Sequence, residues 1–179
     1  MAPWRSCWNW SASATNVMHT LNQLLLRLAD AGIDFVVIGG YAGILHGSSL
    51  VTRDLDICAV LTEANVEQLR RVLAELHPKH RLTPQALSFL DTPPPGTPLD
   101  NLYLHTDWGT VDILSRVLGV GDFERLRRPA EFFVLESRKI RVIALDDLIR
   151  AKEALGREKD LLAAKELRAI AALRAKNDS

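Results

Sequence analysis

Three aspartates carry the residue types from which chemistry can be argued: Asp54, Asp56 and Asp112. Asp54 and Asp56 stand two apart in the alternating, β-rich run DLDICAVL. On a strand, alternate side chains share a face, so both carboxylates project the same way while Leu55 and Ile57 point into a core. Two adjacent acids repel each other. A cation between them removes the repulsion, and hard oxygen ligands select Mg²⁺ or Mn²⁺. Asp112, in Val111-Asp112-Ile113, is likewise one polar residue inside an apolar strand. If its strand pairs beside that of Asp54, three carboxylates gather, enough to hold two metal ions about 3.5–4 Å apart. One metal would activate an attacking hydroxyl, and the other would hold a triphosphate and its pyrophosphate leaving group. A D-x-D pair is also common on the solvent face of a half-exposed sheet, and the pair alone does not decide between these readings.

Gly39 and Gly40 close the apolar run IDFVVIGG and open the short helical run YAGILHG. Glycines there let backbone N–H groups approach a phosphate, and the helix N-terminus after them favours negative charge. The pair is neither a Walker A loop nor a complete G-x-G-x-x-G, and a Gly-Gly turn is often only a turn.

The elements that must position these residues follow from periodicity. Residues 16–31 read as a helix, with Val17, Leu21, Leu24, Leu25 and Leu28 at helical spacing and Gly32 as a stop. A strand through Gly39, a short helix, the connector SSLVTR and the D-x-D strand follow. NVEQLRRVLAEL is an amphipathic helix entered from Thr62 as N-cap. Residues 78–98 are breaker-rich and carry no regular element. NLYLHT, a turn at Asp107-Trp108-Gly109 and TVDILSRV read as a hairpin, and residues 132–135 and 139–143 as two more strands. From Asp146 to Lys176 the chain is helical, divided at Gly156. The expected fold is α/β: a mixed, twisted sheet of about five strands flanked by helices, with the C-terminal helices closing one side of a cleft. The domain expectation is a weakly ordered extension over 1–16, a core over 17–145, and a helical segment over 146–179 packed on it.

Composition narrows the class. With 179 residues there is one domain's worth of chain, and Lys plus Arg equals Asp plus Glu at 22 each. Zero net charge disfavours a globally basic nucleic-acid binder, although Lys and Arg concentrate between Arg125 and Lys176. Cys7 and Cys58 are far apart and suggest no disulfide framework, which fits a reducing cytoplasm. No apolar run of about 18 residues indicates a membrane span, and the leader lacks the continuous apolar stretch of a signal peptide. Three of the four Trp lie in residues 1–16 and could form a docking surface.

Taken together, Gly39-Gly40, thirteen residues, Asp54-Leu55-Asp56-Ile57 and a distal Val111-Asp112-Ile113 resemble the DNA polymerase β-like nucleotidyltransferase superfamily. The run GGYAGILHGSSLVTRDLDI is similar to its small prokaryotic members, among them the AbiEii/AbiGii-type toxin nucleotidyltransferases. The resemblance covers about residues 33–160. It implies an enzyme of the EC 2.7.7 type that moves a nucleoside monophosphate from an NTP, such as ATP, to a hydroxyl. Gly39 and Gly40 would hold the triphosphate. Asp54 and Asp56 would bind Mg²⁺ or Mn²⁺, and Asp112 would bind metal and help deprotonate the acceptor. Thr52 and Arg53 precede the carboxylates as a Thr and a basic residue do in these relatives. Lys152, Gly156, Arg157, Lys159 and Asp160 match a basic block thought to bind nucleotide phosphates. Two departures stand out: Leu50 occupies a position often basic, and Gly40 one often Ser, for which Ser48 and Ser49 could substitute hydroxyls. The toxin-like relatives imply RNA, particularly tRNA 3′ ends, or protein as acceptor, and an antitoxin protein as partner. The alternatives are antibiotic nucleotidyl transfer, to an aminoglycoside or lincosamide, and an inactive fold serving as a binding module.

The remaining candidates are less specific. His46 could approach substrate or simply pack its helix. His77 and His80 lack a third zinc ligand. His105 and Tyr103 could line an acceptor cleft. Cys58 reads as core, and no G-x-S-x-G supports serine hydrolysis.

Overall fold

The computed structural model describes residues 9–177, with side chains from residue 18 onward. Helix α1 (Asn9–Asp30) leads into strand β1 (Phe35–Ile38), helix α2 (Gly39–His46), strand β2 (Asp54–Ala59) and helix α3 (Glu63–Leu73). After a 3₁₀ turn (Ala74–Leu76) come β3 (Lys79–His80), β4 (Asn101–Thr106), β5 (Gly109–Leu114), β6 (Arg116–Val117) and β7 (Gly121–Asp122). Helix α4 (Phe123–Arg127), β8 (Glu131–Leu135), β9 (Arg138–Val142), α5 (Leu145–Leu155) and α6 (Glu158–Asn177) complete the chain.

Helix α1 starts seven residues before the expected Asn16. The apolar stripe begins only at Val17, but residues 9–15 hold two Ala and neither Gly nor Pro, so nothing interrupts the helix upstream. The rest of the expected extension, and with it Trp4, Trp8, Cys7 and the side chain of Trp10, lies outside the described residues.

Seven strands form one mixed sheet in the order β3-β4-β5-β2-β1-β9-β8, two more than the expected five, and β6 and β7 form a separate two-stranded ribbon. The extra member β3 is two residues long and lies in the breaker-rich segment expected to be irregular. Prolines forbid a long strand there but not a short one at the sheet edge. Buried Arg70 of α3 holds this segment down. Its Nε donates to the Phe89 carbonyl at 3.0 Å and its Nη2 to that of Pro93. Phe89 is fully buried.

Strand β2 is central. It runs antiparallel to β1 and parallel to β5. Leu55 and Ile57 are fully buried, as are Leu21, Leu24, Leu25 and Leu28 of α1. Thr62 caps α3 by accepting from the Asn65 N–H at 3.2 Å. Gly156 ends α5 in the left-handed region, φ 66°, where a glycine costs no steric strain, and so separates α5 from α6. Among the described residues no helix is long and apolar enough to cross a membrane.

Candidate active site

The parallel register of β2 and β5 sets Asp56 directly beside Asp112. Asp54 lies two residues back on the same face as Asp56. Ten of the residues singled out in the sequence — Gly39, Gly40, Thr52, Arg53, Asp54, Asp56, Asp112, Lys152, Arg157 and Lys159 — line a single cavity of about 650 Å³. Helices α5 and α6 wall it on one side through their cations.

The glycines are required by close approach. Gly39 has φ +66°, and a Cβ there would lie 2.0 Å from Asp56 Oδ2. A Cβ at Gly40 would meet Thr52 Oγ1 at 2.6 Å. The Thr52 hydroxyl thus fills the space that a serine at position 40 would need, and it donates to Asp54 Oδ1 at 2.6 Å. The Gly40 N–H donates to the Asp56 carboxylate.

Electrostatics single out Asp56. Burial, reinforced by the charges of Asp54 and Asp112, pushes its carboxyl up to about 7, against the opposing pull of Lys152 and the Gly40 N–H. Asp112 is also raised by burial, although Arg81 opposes this. Arg81 donates from Nε to Asp112 Oδ1 at 3.0 Å and from Nη2 to Oδ2. The sequence offered no sign of Arg81: it stands just after β3 in a proline-rich loop without periodicity, and the fold alone brings it to the site.

Asp160 was part of the recognised block but without a role. It is 1% exposed. Lys152 Nζ lies 3.1 Å from its Oδ1, and Arg157 Nε donates to Oδ2. Burial pushes the carboxyl up, but Arg157 and Lys152 outweigh it and hold it below its ordinary value. Asp160 therefore fixes two cations across the α5–α6 joint. Arg53 and Lys159 make no ion pair among the described residues. Leu50 lines the cavity as an apolar residue, with cationic Arg53 three positions on.

Several candidates belong elsewhere. Ser48 and Ser49 do not offer free hydroxyls to the cavity, because Glu166 of α6 accepts from both, at 2.5 and 2.7 Å. His46 is buried, with Nε2 2.7 Å from the Ile143 carbonyl and its ring edge-on to Phe133. His77 pairs with Asp107 at 2.7 Å and His80 with the Thr92 carbonyl, so the two do not converge on a zinc. Tyr103 sits opposite Asp112, whereas His105 is one alternate pair further on, opposite Thr110 and exposed. Cys58 is a free, buried thiol pushed up to about 12 by burial.

The donor chemistry fits a hard divalent cation at Asp54 and Asp56, two carboxylates with unneutralised charge between them. Among the described residues no group of three or more His, Cys, Asp or Glu side chains is arranged to hold a metal ion, so the expected three-aspartate metal site is not assembled. The third acid, Asp112, gives both oxygens to Arg81 instead.

No known family's sequence profile matches the chain, and no curated protein matches it. Its fold is similar to solved structures. The lincosamide antibiotic adenylyltransferase LnuA, with lincomycin bound, superposes with a TM-score of 0.56 at 16% identity, over 85% of this chain and 96% of that one. A Thermotoga maritima protein described as a nucleotidyltransferase gives 0.51 at 18% identity, over 94% and 95%. The antibiotic-resistance factor ANT(2'')-Ia gives 0.51 at 11% identity, over 94% of each. What the chain shares with these proteins is the nucleotidyltransferase fold.

Proposed function

We propose that the chain is a metal-dependent nucleotidyltransferase, moving a nucleoside monophosphate from an NTP to a hydroxyl. The observation that carries this reading is the convergence, on one cavity, of four carboxylates and five cations beside the Gly39-Gly40 pair. Asp54 and Asp56 would hold Mg²⁺ or Mn²⁺. When bound, such a cation neutralises the phosphates and activates the attacking oxygen. Gly39 and Gly40 let the backbone close on Asp56 and Thr52, and the triphosphate would lie along this glycine turn where it lines the cavity. Arg53 and Lys159 are free to meet phosphate oxygens, and Lys152 and Arg157 are held in place by Asp160. Asp112, raised by burial, is suited to accept the acceptor's proton on a carboxylate oxygen once Arg81 releases it. In this reading the helical segment over 146–179 is part of the active site, packed on the core over 17–145. An NTP substrate and the free thiol of Cys58 support a cytoplasmic setting for this reaction.

The deciding experiment incubates the protein with labelled NTPs and Mg²⁺ against total RNA, protein and hydroxylated antibiotics. Antibiotics belong in that panel because LnuA is a lincosamide adenylyltransferase by name. RNA and protein belong there because of the toxin-like sequence resemblance, in which an antitoxin would be the partner. Asp54→Asn and Asp56→Asn should each abolish transfer. Full activity in both variants overturns the reading. Absence of NTP binding with or without Mg²⁺ replaces it with the inactive binding module.

A further inference from the structure

A second cavity, of about 390 Å³, adjoins the first at Asp56 and Asp112. It shares Gly39, Asp56, Arg81, Asp112, Lys152 and Arg157 with the first but is not lined by Arg53 or Lys159. Its outer wall is different in kind. Val117 and Leu118 of the β6–β7 ribbon face Leu148, Ala151 and Leu155 of α5 across it. The ribbon is seated firmly on α5: a Cβ at Gly119, φ +77°, would meet Ala154 Cβ at 2.6 Å and the Arg150 carbonyl at 3.2 Å. Leu118 and Leu155 are left 60% and 43% exposed at the rim. Exposed leucines fixed around a concave mouth mark a ligand site more than a solvated surface.

The charge on this wall is one-sided. Apart from Asp56 and Asp112, no acid lines the cavity, while Arg116 does. Arg116 has no ion-pair partner among the described residues. Its ladder neighbour Asp122 instead caps α4 by accepting from the Arg125 N–H at 3.0 Å. A polycationic acceptor would find no carboxylates here beyond Asp56, assigned to metal, and Asp112, held by Arg81. The volume lies at the small-molecule end of ligand pockets, about 300–1,000 Å³.

Resting on the nucleotidyl-transfer reading, we propose that this chamber binds the acceptor. The acceptor is a small hydroxyl compound with an apolar body and a neutral or single anionic polar group, with Leu118, Leu155 and Arg116 setting its specificity. The apolar body lies between Leu118 and Leu155, the anionic group meets Arg116, and the hydroxyl reaches Asp112. Its oxygen forms a bond to the α-phosphorus, and the bond from that phosphorus to the β-bridging oxygen breaks. The electron pair leaves with pyrophosphate, and the hydroxyl proton passes to the Asp112 carboxylate.

8-Anilinonaphthalene-1-sulfonate, an apolar body with one anionic group, serves as the probe of the chamber in the full chain. The expected result is one saturable site, weakened at least tenfold by Leu118→Glu and by Arg116→Glu. Val134→Glu, at a still more exposed apolar residue outside the chamber, should leave it unchanged. The polycation kanamycin should not displace the probe. Probe affinity indifferent to both chamber substitutions, or ready displacement by kanamycin, overturns the proposal. Calorimetry of Mg·ATP on the same samples separates the two readings. If ATP binds and RNA is labelled equally by wild type and Leu118→Glu, the chamber proposal fails and nucleotidyl transfer stands. If ATP does not bind while the probe behaves as expected, nucleotidyl transfer fails and the chamber's ligand chemistry is upheld.

Discussion

Arg81 grips both carboxylate oxygens of Asp112, with its Nε 3.0 Å from Oδ1 and its Nη2 on Oδ2. A residue from a proline-rich edge loop thereby closes off the third acid of the site. The pair is 36% and 9% exposed at its two ends, so it lies between a screened surface bridge and a fully buried one.

Removing that grip exposes the competition between guanidinium and metal. Arg81→Gln should destabilise the metal-free chain by about 1–2 kcal/mol, since it leaves Asp112 unpaired beside two other acids. Added Mg²⁺ should then raise the melting temperature more in the variant than in wild type. Differential scanning fluorimetry with and without MgCl₂ checks this, and equal Mg²⁺ shifts would show that Arg81 and the cation do not compete.

The raised Asp56 carboxyl links stability and metal binding to pH. Its folded value, about 7, lies above the ordinary carboxylate value of 3.8. Its contribution is therefore present below pH 4 and lost as pH rises through 7, a loss on the order of 4 kcal/mol in metal-free protein. Metal binding must expel that proton, so the apparent Mg²⁺ affinity should rise by up to about tenfold per pH unit up to 7 and level off above. Chemical denaturation from pH 5 to 8, with EDTA and with Mg²⁺, should show opposite slopes. A metal-free stability that climbs over this window contradicts the assignment.

Gly40 and Thr52 form a steric pair. Gly40→Ser should cost about 1–3 kcal/mol, because its Cβ has nowhere to go but into the Thr52 hydroxyl. Thr52→Ala removes the closer of the two clashing atoms, so the double variant should recover part of the loss. A double-mutant cycle in urea measures that coupling, and strict additivity would mean that the two side chains do not collide.

Asp160 holds Lys152 and Arg157 from beneath. Asp160→Asn should cost about 3 kcal/mol by leaving two cations without their shared buried partner. It should also raise KM for NTP more than it lowers kcat, because both cations lose their fixed positions. Its pH dependence has the opposite sign to that of Asp56: a lowered carboxyl stabilises above its ordinary value, and the effect fades as the solution is acidified. Unchanged urea stability in the variant would remove Asp160 from this role.

The sequence by itself determined the parts of the site that depend on local geometry. Period-two alternation put Asp54 and Asp56 on one face of a strand, opposite Leu55 and Ile57. The glycine pair marked where a backbone must come close, and the break at Gly156 divided the C-terminal helices. These are near-neighbour effects, written in the spacing of residues a few positions apart.

What only the tertiary structure decided is what meets across distance. The parallel pairing of β2 with β5 brings Asp112 beside Asp56 from 56 residues away. Burial of Arg70 and Phe89 pins a loop whose composition promised no structure, and so delivers Arg81 to the third acid. The helix joint at Gly156 folds Asp160 under the cations, and the seat of Gly119 on α5 shapes the apolar chamber. Each depends on side chains packing into space left by other elements. That space is a property of the assembled fold, and no periodicity along the chain encodes it.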